Sequence, residues 1–299
     1  FIDMYAGRLR NQVSFMLSAC NFYMPIFEEA LDAYGLPLEL RYLPIIESAL
    51  NPSAVSRAGA SGLWQFMIGT GKIYGLESNS LVDERRVPIK ATWAAARYLK
   101  EMYDIYGDWN LVIAAYNCGP GTINKAIRRA NGETDYWKIY NYLPKETRGY
   151  VPAFIAANYV MTYYCDHNIC PMETNIPAST DTVQVNKNLH FEQIADLCNV
   201  PLDQIKSLNP QYKKQIIPGD NKPYTLRLPI EAISTFIDRQ DTIFAHRADE
   251  LFRNRKTVAV KEISPSTRRA TTAVAGKGKP TYYKIKSGDT LSSIAEKYG

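Results

Sequence analysis

Residues 36–52 read LPLELRYLPIIESALNP, and this stretch predicts a helix that opens at Leu36-Pro37 and closes at Asn51-Pro52. Its apolar stripe ends in a carboxylate, with members spaced i, i+4, i+7 and i+11: Leu36, Leu40, Leu43 and Glu47. Burial disfavours the charged form of a carboxylate and raises its pKa, which suits a general acid. The alternative is a glutamate at the end of the helix whose head reaches solvent or pairs with an arginine.

The next segment, residues 56–67, reads SRAGASGLWQFM, in which small residues are followed by large ones. Gly59 and Gly62 permit close approach of the backbone to a ligand, and Gln65 supplies both a donor and an acceptor. The segment also has large apolar side chains that offer surface for a sugar ring: Trp64, Phe66 and Met67. As a physical pattern it indicates either a pocket wall or buried core.

The chain around these segments is predicted to be helical from residue 1 to about residue 170. A second helix, 91–106, has an apolar stripe and Gly107 as its C-terminal stop. Asp108 can cap a third helix, 109–117, and a fourth runs from about 146 to 164. The fold class is therefore mainly α.

After residue 170 the pattern changes to that of a small α/β unit. The predicted order is strand 182–185, helix 191–198, helix 202–208 and strand 224–228. The predicted domains are a helical domain at 1–170, a βααβ module at 180–229, a helix at 230–252, a basic linker at 253–280, and the truncated start of a further module at 281–299.

Charge and composition exclude several classes of function. The net charge is +5, but residues 251–280 hold eight basic residues against one acid, so they contribute +7 and the rest of the chain −2. That segment has no aromatic residue beyond Phe252 to interleave with its charges, so we expect no nucleic-acid partner. No cysteine or histidine spacing matches a metal site, although Cys165 and Cys170 are close enough in sequence to form a disulfide.

The motifs resemble a known family. In order, ESALNP at 47–52, ASGLWQFM at 60–67, AYNCGPG at 115–121 and TRGYV at 147–151 resemble the successive motifs of the soluble-lytic-transglycosylase domain, which is goose-lysozyme-like. The sequences of the first two motifs are similar to those of the membrane-bound lytic murein transglycosylase D branch. The resemblance covers about residues 20–165, and four motifs in this order make it specific.

The resemblance implies a lysozyme-like helical enzyme that cleaves the bond between N-acetylmuramic acid and N-acetylglucosamine and leaves 1,6-anhydro ends. Glu47 would be the sole catalytic carboxylate. The implied substrate-binding residues are Ser56, Gln65, Met67, Tyr116, Asn117 and Tyr150. We expect no metal and no cofactor.

We expect the partner to be a peptidoglycan glycan strand and the protein to be an exported monomer of the periplasm or cell envelope. No stretch of the sequence has the roughly 20 consecutive apolar residues of a membrane span. Any signal peptide or membrane anchor would therefore lie upstream of Phe1.

The C-terminal sequence also resembles a known module. YKIKSGDTLSSIA at 283–295 resembles the opening of a LysM module, which binds glycans that contain N-acetylglucosamine. Residues 180–229 resemble a divergent LysM, with Lys187-Asn188-Leu189 in place of the Gly-Asp-Thr turn. Glycan binding and a purely structural role therefore both remain open for this module.

Two other functions compete with the transglycosylase. A lysozyme-like hydrolase would need a second carboxylate to hold water, and Asp83 and Glu84 are the nearest downstream candidates. A non-catalytic peptidoglycan-binding scaffold would not need the implied catalytic residues, yet Glu47, Gln65, Tyr116 and Tyr150 are all present.

Overall fold

The N-terminal part of the chain is built from helices, as its sequence predicts. The computed structural model describes residues 1–173, 177, 179–253 and 260. Its helices in this part are α1 (Arg10–Ala33), α2 (Leu43–Ser48), α3 (Ile68–Ile73), α4 (Pro88–Tyr106), α5 (Trp109–Cys118), α6 (Pro120–Arg129), α7 (Tyr136–Ile139) and α8 (Lys145–Thr162). A π-helical turn (Met4–Arg8) and 3-10 turns (Leu38–Tyr42, Glu84–Arg86, Tyr140–Tyr142) complete it.

The ends of α4 and α5 follow from local chemistry. Pro88 occupies the first turn of α4, where a missing N–H costs nothing, and Gly107 ends the helix at φ 63°, in the left-handed region. The Asp108 carboxylate then accepts a hydrogen bond at 2.9 Å from the backbone N–H of Leu111 and caps α5. Pro120 starts α6, a helix that the sequence reasoning did not predict.

The stretch that carries Glu47 differs from its prediction. One helix was expected from Leu36-Pro37 to Asn51-Pro52, but a 3-10 turn (Leu38–Tyr42) leads into the short helix α2. Pro44 has no backbone N–H, so an α-helical bond from this residue to the turn before it cannot form. The apolar stripe is still buried, so Glu47 is carried to the edge of the core as its spacing indicates.

The second part of the chain is the predicted α/β module. Its elements are β1 (Thr180–Val185), β2 (Asn188–His190), α9 (Phe191–Cys198), α10 (Leu202–Leu208), β3 (Ile216–Pro218) and β4 (Tyr224–Pro229). β1 pairs antiparallel with β4, with Val183 opposite Leu226, and β2 pairs antiparallel with β3. The strands β2 and β3 were not predicted, because three residues are too few to show an alternating pattern.

The predicted helix at 230–252 is broken into three: α11 (Ile230–Asp238), α12 (Gln240–Ala245) and α13 (Ala248–Leu251). The second break lies at Arg247, which has φ 50° and pairs with Asp196 of α9 at 2.9 Å. Beside it, the side-chain amide of Gln193 donates to the carbonyls of Phe244 and His246 at 3.1 and 2.7 Å. The break thus allows residues 244–247 to contact α9, and these contacts cannot be predicted from the periodicity of the sequence.

The module is packed against the helical part. Leu81 and Val82, which precede α4, belong to the hydrophobic core of the module. The predicted fold class, a mainly α catalytic domain followed by a small α/β module, is confirmed. Apart from residues 253 and 260, the predicted linker 253–280 and the predicted module start 281–299 lie outside the described residues. No helix in the described ranges has the length and apolarity to cross a membrane.

Candidate active site

Glu47 lies at the end of α2 and faces a cavity of about 430 Å³. The helix ends at Ser48, because Ala49 and Leu50 both adopt positive φ, at 50° and 58°. Two other residues predicted for the site, Ser56 and Gln65, line the same cavity. The structure therefore brings these three side chains together around one opening.

Tyr150 of α8 approaches Glu47 from the protein side. Its hydroxyl donates a hydrogen bond to Oε1 of Glu47, although 102 residues separate the two in sequence. Burial, together with the charge of Glu47 and this bond, raises the pKa of Tyr150 well above its usual value. Tyr150 therefore keeps its proton and fixes the orientation of the carboxyl group.

Burial raises the pKa of Glu47 from its usual value of 4.5 to about 7. The hydrogen bond from Tyr150 acts in the opposite direction, and the charge of Glu146 raises the pKa further. A carboxyl group with this pKa is partly protonated near neutral pH, as general acid catalysis requires.

The wall opposite α2 is the 54–67 loop, and Gln65 is held in it with strained geometry. Gln65 has φ 48°, and its side-chain amide donates to the carbonyl of Gly62 at 2.8 Å. The Ser56 hydroxyl accepts the backbone N–H of Ala60 at 3.0 Å. Both side chains are thus positioned by their own loop.

Three large residues of this loop do not share one role. Trp64 is fully buried, and its Nε1 donates to the Thr92 hydroxyl at 2.9 Å, while Phe66 is also buried. For these two residues the core interpretation is the correct one. Met67 is 45% exposed but is not among the residues that line the Glu47 cavity.

The remaining predicted residues, Tyr116 and Asn117, do not line the cavity, and neither does Tyr150. The Tyr116 hydroxyl donates to the carbonyl of Trp64 at 2.7 Å, and burial followed by the charge of Glu47 raises its pKa well above the usual value. Oδ1 of Asn117 accepts from the Thr147 hydroxyl at 2.8 Å. Tyr116 is thus bonded to the 54–67 loop, and Asn117 is bonded to α8.

The N-terminal segment supplies lining residues that the motif argument missed: Tyr5, Leu9, Gln12 and Met16. They follow the spacing i, i+4, i+7, i+11, so a helical stripe through residues 5–16 would have identified them.

Asp83 and Glu84, the candidates for a second carboxylate, are both bonded to other protein groups. Asp83 is 1% exposed and accepts two hydrogen bonds from Arg85 at 2.7 and 2.8 Å. Glu84 pairs with Lys90 and accepts the backbone N–H of Glu77 at 2.9 Å. Neither lines the Glu47 cavity.

A second cavity, of about 330 Å³ between the helical part and the module, contains none of the predicted substrate-binding residues, although Glu84 lines it. Within the described ranges, no three His, Cys, Asp or Glu side chains are grouped so as to hold a metal ion. Cys165 and Cys170 are exposed free thiols.

The raised pKa of Glu47 predicts a specific dependence of stability on pH. Because the folded-state pKa exceeds the unfolded one, the stabilising contribution of Glu47 is full below pH 4.5 and is lost as the pH passes about 7. The side chain of Glu47→Gln does not titrate, so the Tm of this variant relative to that of the wild type should rise as the pH increases from 4.5 to about 7. Calorimetry across this range measures the difference, and a constant difference in Tm would contradict the assignment.

Comparison with known proteins identifies the matching families. The transglycosylase SLT domain family matches residues 24–139, and the LysM-like domain of lytic transglycosylase MltD matches 179–245. The LysM domain family matches 283–299, outside the described residues. The motif resemblance stated above is thus confirmed.

The chain is also similar to individual proteins. The membrane-bound lytic murein transglycosylase D of Escherichia coli K12 is 31% identical over 271 residues, which cover 89% of this chain and 55% of the relative. The chain therefore spans about half the length of that relative. The soluble lytic murein transglycosylase of the same strain is 32% identical over 124 residues, covering 40% of this chain and 19% of the relative. The solved structure of the 70 kDa soluble lytic transglycosylase of Escherichia coli aligns at 27% identity and a TM-score of 0.41, over 51% of this chain and 26% of that one.

Proposed function

Since residues 24–139 match the transglycosylase SLT domain family, we propose that the chain is a peptidoglycan lytic transglycosylase that uses Glu47 as its only catalytic carboxylate. The bond cleaved joins N-acetylmuramic acid to N-acetylglucosamine, and the product carries a 1,6-anhydro-muramic acid end.

In the proposed reaction Glu47 acts first as an acid and then as a base. The protonated carboxyl donates its proton to the glycosidic oxygen as the bond from that oxygen to C1 of the muramic acid breaks. The carboxylate then accepts the proton of the 6-hydroxyl of the same sugar, whose oxygen bonds to C1 and closes the anhydro ring. Glu47 ends in its starting state and no water is consumed. An intramolecular hydroxyl held in good geometry can lower the barrier by roughly 7–11 kcal/mol.

One observation carries this proposal. Glu47 is the only carboxylate among the described residues that line its cavity, and its pKa is raised to about 7. Most glycosidases need two carboxylates, whereas a reaction in which the substrate supplies the nucleophile needs one. The bond from Tyr150 supports a single carboxyl group that is held in place while it exchanges a proton.

The hydrolase alternative has less support. Asp83 and Glu84 are both held in ion pairs outside the cavity. Glu146, whose charge contributes to the pKa of Glu47, is exposed in the first turn of α8 and is not part of the lining. None of these three carboxylates therefore lines the Glu47 cavity, where a general base would have to hold water.

Around Glu47, we propose that Ser56 and Gln65 hydrogen-bond the substrate near the scissile bond and that Met67 lines the cleft beyond the Glu47 cavity. Tyr150 orients Glu47, while Tyr116 and Asn117 act through the loop and the helix that they hold. The protein would act on murein in the cell envelope as a monomer. Of the two relatives described above, one is named as membrane-bound and the other as soluble.

The chemistry of the new glycan end tests the proposed function. Digestion of peptidoglycan should release fragments that borohydride leaves unchanged, because an anhydro end has no free reducing group. Mass spectrometry of the fragments before and after reduction measures this. Predominantly reducible fragments would overturn the transglycosylase in favour of the hydrolase, and no fragments at all would favour the scaffold.

A further inference from the structure

The LysM-like module, residues 179–245, meets the helical domain along the segment 77–86. Their backbones form a short antiparallel contact, which consists of the Val82–Tyr212 bridge, Asp83 N to Gln211 O at 3.0 Å, and Lys213 N to Leu81 O at 2.8 Å. At the rim, Lys222 of the module pairs with Glu77 at 2.6 Å. The contact is therefore built from specific bonds as well as apolar packing.

Asp83 lies at the centre of this contact and is bound by one cation from each side. Arg85, from the helical domain, makes a bidentate pair with it. Lys213, from the module, places its Nζ 3.5 Å from Oδ2 of Asp83 and donates to the carbonyl of Asn79 at 2.8 Å. Burial raises the pKa of Asp83, but the bonds and charge of Arg85 and the charge of Lys213 outweigh it and keep the pKa below its usual value. The carboxylate is thus ionised in the interface.

The other end of the Arg85 guanidinium holds the wall of the active site. Its Nη1 donates to the carbonyls of Gly59 and Phe66, each at 2.8 Å. These carbonyls flank the turn of the 54–67 loop that presents Gln65. Arg85 is 4% exposed and is not among the residues that line the Glu47 cavity. It therefore acts on the site indirectly, through the loop that it holds.

We propose that Arg85 is a positioning residue for the 54–67 loop and that the module completes this arrangement through Lys213. Docking of the module then sets the position of Ser56 and Gln65 relative to Glu47. The module is a structural part of the active site, whether or not it also binds glycan. The catalytic consequence rests on the proposed function; the structural consequence does not.

The physical reason is the cost of an incompletely paired charge in the interior. Removing one partner of a buried ion network leaves the remaining charges without full compensation, which destabilises the local arrangement. Without Lys213, Asp83 keeps its ion pair with Arg85 and the weaker effect of the Arg86 charge, and we expect water to enter at the rim and replace the ammonium. A guanidinium that shifts toward that water loses its alignment with the two loop carbonyls.

Amide hydrogen exchange tests the arrangement without relying on activity. We expect Lys213→Met and Arg85→Lys to speed the exchange of amides in residues 54–67, with Arg85→Lys the larger effect. A lysine retains the charge of Arg85 but cannot bind Asp83 and both carbonyls at once. The matched control is Lys222→Met, the same substitution in the other ion pair of the interface, and it should leave the loop as in the wild type.

Activity provides the second measurement. Turnover of peptidoglycan should fall roughly tenfold in Lys213→Met and roughly 100-fold in Arg85→Lys, because small displacements of positioning groups have effects of this size. Because Glu47 must be protonated to act as the acid, we expect activity to decline as the pH rises above about 7, and this decline should be the same in both variants, since Glu47 and Tyr150 are not altered. Lys222→Met should keep wild-type turnover.

The outcomes separate this inference from the proposed function. Loop exchange in Lys213→Met equal to that of Lys222→Met would overturn the inference, and so would an increase spread equally over α4 and α8. If the loop responds as expected but the wild type releases no fragments, the proposed function fails and the positioning role of Arg85 stands.

Discussion

Glu47→Gln should lower the activity on peptidoglycan by a factor of at least about 10²–10⁴, the range typical of lost general acid–base catalysis. Glutamine keeps the size of the side chain, and its carbonyl can still accept the hydrogen bond from Tyr150. It has no proton of the required acidity to donate and cannot accept one afterwards. Release of soluble fragments from purified peptidoglycan measures the effect.

Glu146→Gln is the matched control for this variant. It is the same change at the exposed carboxylate whose charge acts on Glu47, and it should retain most of the activity. The folded state of Glu47→Gln should be as stable as the wild type or slightly more so, because a buried acidic group is replaced by a neutral one. Near wild-type release by Glu47→Gln would remove Glu47 from the mechanism.

Gly62→Ala should strongly lower the free energy of unfolding. A Cβ at this position would overlap the carbonyl oxygen of Arg85 and lie 2.7 Å from its carbonyl carbon, and both are backbone atoms that a rotamer change cannot move. Gly62 also has φ 88°, which side chains rarely adopt. Strain and overpacking together should cost at least about 3 kcal/mol in the free energy of unfolding.

Gly59→Ala separates backbone strain from overpacking as causes of the loss of stability. Gly59 has the same φ of 88°, but a Cβ there would have no atom within 4 Å. This variant should lose only the conformational part, about 1–2 kcal/mol. Urea unfolding of both proteins gives the comparison. Equal losses would mean that the loop can move away from Arg85, which would also weaken the argument that Arg85 positions it.

The central part of the site could be predicted from sequence, because its signals are local. The spacing from Leu36 to Glu47 placed the carboxylate at the edge of the core, and the small residues of 56–67 indicated a loop beside a ligand. The break of the predicted helix before α2 could have been foreseen as well, since Pro44 cannot donate the bond that a continuous helix needs.

The rest depends on contacts between distant residues. Tyr150 meets Glu47, and Lys213 meets Asp83, only after the chain has folded. Asp83 illustrates the difficulty, because a carboxylate shortly after the loop motif was a reasonable candidate for a second catalytic group. Its two cationic partners, which assign it a structural role, lie on both sides of an interface that no local pattern reveals. Trp64 is a second example: its large aromatic ring would suit stacking on a sugar, but the side chain is buried and bonded to Thr92.

The most direct test of a single-carboxylate mechanism is digestion in water enriched in heavy oxygen, followed by mass spectrometry of the new muramic acid ends. If the 6-hydroxyl attacks C1, no solvent atom enters the product, and the anhydro ends should have the same mass in enriched and ordinary water. Glu47→Gln should produce almost no new ends in either. Incorporation of one heavy oxygen at each new end would show that water is the nucleophile and would contradict the proposal that Glu47 acts without a second carboxylate.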